Sequence, residues 1–170
     1  MNQALDRLAT QVALAAAGRE RLRFEFAYAC VARVRQLLEE PEVEQCLLGL
    51  RAYLDGAGDE EHLKEVAAEA ARLANHHQGS KSIDGCGHAA VSATYAVAKA
   101  IEGKALEAAS YAAYAIVYAQ GGSAAVADHE SFESEFEWQV QSLASLANQG
   151  TLVAPSAHAN PIRTPHGNLA

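Results

Sequence analysis

Cysteine, proline and tryptophan are all scarce in this 170-residue sequence, at three, four and one residue. Cys30, Cys46 and Cys86 are too few and too widely spaced for the disulfide framework of a small secreted domain, and no Cys-x-x-Cys pair announces a zinc or redox centre. Cys30 and Cys46 fall in apolar helical patterns and read as buried thiols. Bases are also in short supply: 13 against 21 acids leave a net charge of −8, which argues against a general nucleic-acid or anionic-membrane surface. No uninterrupted apolar stretch is long enough to span a bilayer, and the N-terminus lacks the basic, apolar and cleavable triplet of a secretory signal. The expectation is a cytoplasmic protein that binds neither nucleic acid nor membrane.

What the sequence has in excess is alanine, about a fifth of all residues. Alanine loses no side-chain entropy in a helix and lets neighbouring backbones approach closely. It recurs at helical spacing, as in Ala89, Ala90, Ala93, Ala96 and Ala100, then Ala105, Ala108, Ala109, Ala112, Ala113 and Ala115. No convincing strand alternation interrupts this period. The chain length suits one well-buried unit, taken as residues 1–150. Beyond Gly150, Pro155, Pro161 and Pro165 with small polar residues predict an extended tail over 151–170.

Seven helices are expected. The first covers Gln3 to Ala17, with Leu5, Leu8, Val12 and Ala16 inward, up to Gly18. The second covers Arg19 to Leu38, with Leu22, Phe26, Cys30 or Ala29, Val34 and Leu37 inward. Pro41 opens the third at a position where its missing N–H costs nothing, and Val43, Cys46, Leu47, Leu50 and Leu54 form its stripe. Asp59 is placed to cap the fourth, which should end near His77. The fifth runs from the Asp84–His88 region to Ile101. Gly103 then joins it to the sixth, Lys104 to Gln120, by a connection short enough for an antiparallel pair. Gly121-Gly122 ends that hairpin, and the seventh occupies Ala125 to Asn148, with Phe132, Phe136, Val140, Leu143 and Leu146 inward. The fold class is therefore all-α: an antiparallel bundle or short α-solenoid of six to seven helices.

Three clusters carry candidate chemistry. Asp128, Glu130, Glu133, Glu135 and Glu137 face only Arg163 as a base between residues 121 and 170, a net −4. Glu130, Glu133 and Glu137 share a helix face. Such a face is ordinarily solvated surface; its functional form is a docking patch for a basic partner, with Asp128 beside it. His76, His77, Asp84, Cys86 and His88 are all metal-ligand types, but no His pair has i, i+4 spacing and glycine-turn and helix-end roles explain them as well, so no metal or other cofactor is expected. Cys86 near His88 lacks an oxyanion-hole signature, so it is not assigned as a nucleophile. Tyr111, Tyr114 and Tyr118 share one face and read as packing; Tyr111 and Tyr114 with His76 and His77 would line the pocket of an alternative small-ligand or metal-dependent enzyme.

Tyr28-Ala29-Cys30, Arg51-Ala52-Tyr53 before Gly56, Gly87-His88-Ala89-Ala90 and Tyr111-Ala112-Ala113-Tyr114-Ala115 together carry a resemblance. From about residue 24 to 120 the chain resembles the alanine-rich immunity proteins of bacterial polymorphic toxin systems. The resemblance implies an all-helical, non-enzymatic protein that neutralises a cognate toxin by binding it, and it transfers no catalytic residue. Self-association through small-residue helices is a third reading.

Overall fold

A computed structural model of the chain describes residues 2–77 and 87–152, with side chains to Gln149. Among the described residues all regular structure is helical. Helix α1 spans Gln3–Gln11, α2 Glu20–Ala32, α3 Pro41–Leu54, α4 Glu60–His76, α5 Gly87–Ile101, α6 Ala105–Ala125 and α7 Glu133–Leu152. Short 3-10 turns at Arg35–Leu37 and His129–Phe132 follow α2 and precede α7.

Helix α5 is the centre of the molecule. It packs on α2, α3, α4 and α6, most extensively on α6. Ala89, Ala90, Ala93, Ala96, Val97, Ala98, Ala100 and Ile101 are all buried, so this helix is apolar nearly all round, as a helix enclosed by others must be. Facing it, α6 buries Ala105, Ala108, Ala109, Ala112, Ala113, Ala115 and Val117. The two helices turn on Gly103, whose φ of +74° is the left-handed conformation that glycine adopts without a Cβ penalty. The Lys104 amide donates to the Lys99 carbonyl at 2.9 Å and closes the turn.

Contacts between distant helices decide between the two expected architectures. In a solenoid each unit touches only its neighbours. Here α1 packs on α7, and α2 packs on α6 and α7 as well as on α3 and α5. The molecule is a closed bundle.

Several helix ends differ from the sequence expectation. Helix α1 stops at Gln11 because Ala13 takes the left-handed conformation, φ 51°, and the Leu14 amide donates to the Ala9 carbonyl at 2.9 Å. That closing turn buries Leu14 and leaves Ala16, expected inward, exposed. Helix α2 gives way after Ala32 to a tighter 3-10 turn, which keeps Val34 in the core while Leu38 and Glu40 become extended ahead of Pro41. Helix α6 passes Gly121 and runs to Ala125, broken only at Gly122, where φ is 64°. The last helix begins at Glu133 rather than Ala125, after the 3-10 turn that Asp128 caps. Asp59 caps α4 as expected, accepting from the His62 amide at 2.8 Å.

Candidate functional site

The acidic segment is held in place by aromatic packing. Phe132, on the 3-10 turn, is buried and meets the Tyr114 ring of α6 edge-on at 5.1 Å, and lies 5.3 Å from the Phe136 ring. Phe132 joins Ala113 and Val117 in a small satellite core that anchors this turn to α6. The Asp128 carboxylate accepts from the Glu130 amide at 3.0 Å and fixes the start of the turn. Asp128, Glu130, Glu133 and Glu137 are all exposed.

Their electrostatic setting differs from that of most other acids. Elsewhere Glu25 pairs with Arg21, Glu44 with Arg35, Asp55 with Arg51, Glu60 with Lys64 and Glu69 with Arg72. Among the described residues Asp128, Glu130, Glu133 and Glu137 have no ion pair; Glu137 accepts only a 3.5 Å bond from Gln141. Tyr114, at 38 % exposure, is the most exposed of the bundle's aromatic side chains and sits against the same turn.

Glu135 must be separated from its neighbours in sequence. It is 1 % exposed and faces the bundle, where its carboxylate accepts from Arg33 Nε at 2.9 Å and pairs with Arg33 Nη2 at 2.8 Å. Its other oxygen accepts from Gln139 at 3.4 Å. Gln139, equally buried, also donates to the Ala109 carbonyl at 2.9 Å, and Asn2 donates to Gln139 at 3.3 Å and to the Phe136 carbonyl at 2.9 Å. The Arg33 guanidinium lies 4.1 Å above the Trp138 ring. Burial raises the Glu135 carboxyl above the usual carboxylate range, and the Arg33 and Gln139 contacts offset part of that. A signal for this was present in the sequence: Phe132, Glu135, Gln139, Leu143 and Ala147 form one helical stripe, with two polar residues in its middle.

His76 is exposed, with Nδ1 2.7 Å from the Arg72 carbonyl oxygen, and His77 follows the end of α4. His88 is exposed at the start of α5, its ring 5.1 Å from that of Tyr118. Asp84 and Cys86 lie outside the described residues. Among the described residues no three His, Cys, Asp or Glu side chains are grouped to hold a metal ion. Tyr111 is half-buried and stacks on Tyr95 at 5.2 Å, whose hydroxyl donates to Asn75 at 3.3 Å, whereas Tyr114 turns to Phe132. Cys30 and Cys46 are buried free thiols, and burial pushes both pKa values up, away from nucleophilic use.

Two clefts lie beside the Gly103 turn of the α5–α6 hairpin. One, of about 570 Å³, opens between the end of α1 and the start of α6; the other, of about 450 Å³, lies where α2, α3 and α4 approach the Gly103 turn. Neither is lined by His76, His77, Tyr111 or Tyr114.

Compared with known proteins, the chain matches no family model, no curated protein and no solved structure.

Two of the motifs that carry the resemblance to immunity proteins, those of Tyr28 and Arg51, touch in the structure. The Arg51 guanidinium sits 5.5 Å from the Tyr28 ring centre, and Tyr53 meets Phe24 edge-on at 5.5 Å. Cys30 is fully buried one helical step away, and Ala89, Ala90, Ala112, Ala113 and Ala115 are all in the interior. These buried residues pack within the bundle, whereas His88 and Tyr114 of the same motifs are exposed.

Proposed function

We propose that this protein is a non-enzymatic immunity or inhibitor protein that neutralises a cognate toxin by covering it. The observation that carries the reading is the group of exposed carboxylates at the start of α7, without bases, beside the exposed Tyr114. An unpaired surface of one charge sign accelerates encounter with an oppositely charged partner and disfavours wrong ones. A neighbouring tyrosine supplies a contact of the kind that dominates interface energy. The turn is fixed by Phe132 and the Asp128 cap, so little ordering is needed on binding. The framework likeness at Tyr28, Cys30, Arg51 and Tyr53 supports the same reading. A toxin with a basic active-site surface, such as a nuclease, fits the charge, and its contact in the cytoplasm would run over Asp128, Glu130, Glu133 and Glu137.

Co-expression with candidate toxin domains encoded beside this gene tests the proposal. Cells should survive a domain that kills them alone, and the two chains should co-elute on gel filtration. Continued killing and separate elution for every such domain would overturn it.

A further inference from the structure

The 570 Å³ cleft between α1 and α6 is within the size range of small-molecule sites, and none of its lining residues belongs to the proposed docking face. Its walls are apolar: Ala9, Leu14, Ala105 and Leu106 line it, and Leu106 is one of the few large apolar side chains left exposed. One wall is built at a cost. Ala13 holds a left-handed φ of 51°, a conformation worth about 1 kcal/mol of strain for a residue with a Cβ. Arg23 holds that wall, donating through Nη1 to the carbonyls of Leu14 and Ala16, both at 3.0 Å.

The charges around the cleft are nearly all satisfied. Arg23 pairs with Glu20 at 3.3 Å, Lys104 with Glu102 at 2.8 Å, and Glu107 faces Lys99 at 3.9 Å. Asp6 is the exception. This half-buried residue lines the cleft, and its carboxylate has no hydrogen bond or ion pair among the described residues. An apolar cleft with one uncompensated carboxylate selects a molecule with an apolar body and one positive charge.

We propose that this cleft binds a small hydrophobic amine, its alkyl or aryl part against Ala9, Leu14 and Leu106 and its ammonium group on Asp6. The proposal is independent of toxin binding. Amide-resolved NMR titration of the full chain with n-octylamine, n-octanol and n-octanoate tests it. Octylamine should shift the amides of residues 6–16 and 103–107 with a Kd on the order of 1 mM, as expected for so small a ligand. Octanol should bind more weakly at the same place and octanoate more weakly still. Asp6→Asn should weaken octylamine about tenfold and leave octanol unchanged, since a charge-assisted contact is lost without changing the apolar walls. Ala16→Phe, at an exposed position on the rim, should obstruct both ligands while the rest of the spectrum stays folded. Shifts that are absent, that are equal for octanoate, or that persist unchanged in Asp6→Asn would overturn the proposal.

Discussion

The α5–α6 hairpin and the seam that seats α7 solve the same packing problem with opposite chemistry. The hairpin is joined mainly by alanine, valine and isoleucine, with Ser92 and Thr94 buried among them and Tyr95 stacked on Tyr111. The α7 seam carries Glu135, Gln139 and Asn2 in its buried stripe, answered by Arg33 and the Ala109 carbonyl. Small apolar contacts give density but little register, because one alanine row resembles the next. Hydrogen-bonded polar groups cost desolvation and in return admit few alternative alignments. The polar seam seats α7 itself, while the acidic turn ahead of it rests on Phe132 against Ala113 and Val117.

The comparison breaks most visibly if size is added to the hairpin. Ala112 has no exposed surface, so Ala112→Leu should cost about 3 kcal/mol by overpacking, read as a fall in the urea midpoint. A cost below about 1 kcal/mol would mean that the hairpin is looser than described. The next effect is smaller. Arg33→Ala leaves Glu135 buried without its base and should cost about 2 kcal/mol, less than for a fully buried pair because the Arg33 side chain is 38 % exposed.

Replacing both partners sharpens the contrast further. Arg33→Met with Glu135→Met should fall within about 1 kcal/mol of the parent, since a polar pair exchanged for apolar groups of similar volume is close to neutral. Hydrogen exchange along α7 should nevertheless quicken in the double variant if the pair sets register. The smallest effect is on pH dependence. Burial holds the Glu135 pKa above its unfolded value, so the folded state binds this proton more tightly. The resulting stability is full below about pH 4.3, the ordinary glutamate value, and is lost as pH rises through the folded value. Glu135→Gln should remove that slope from the curve of melting temperature against pH; an unchanged curve would show that the carboxyl is not perturbed.

The parts legible in the sequence are those set by local periodicity. Residues 41–54 are the clearest case: Pro41, the five-residue stripe ending at Leu54 and the glycine beyond it all fell as expected, because cap, period and stop agree there. Helix ends governed by tertiary demand were not legible. Nothing in the run Ala13 to Ala17 says that Leu14 must turn inward at the expense of a left-handed alanine. For the candidate site, the exposure of Glu130, Glu133 and Glu137 followed from their shared face. The opposite fate of Glu135 was legible only in its place on the Phe132–Gln139–Leu143 stripe, and its partner Arg33, about a hundred residues away, was not legible at all. The cleft beside Asp6 was equally hidden, being assembled from the two ends of unrelated helices.

Association kinetics with the cognate toxin test the central claim most directly. The parent chain should bind at a rate that falls steeply as salt increases, and the triple variant Glu130→Lys, Glu133→Lys, Glu137→Lys should bind at least about tenfold more slowly at low salt, with that salt dependence flattened. Equal rates and equal salt dependence for the two chains would contradict the assignment of this acidic turn as the docking surface.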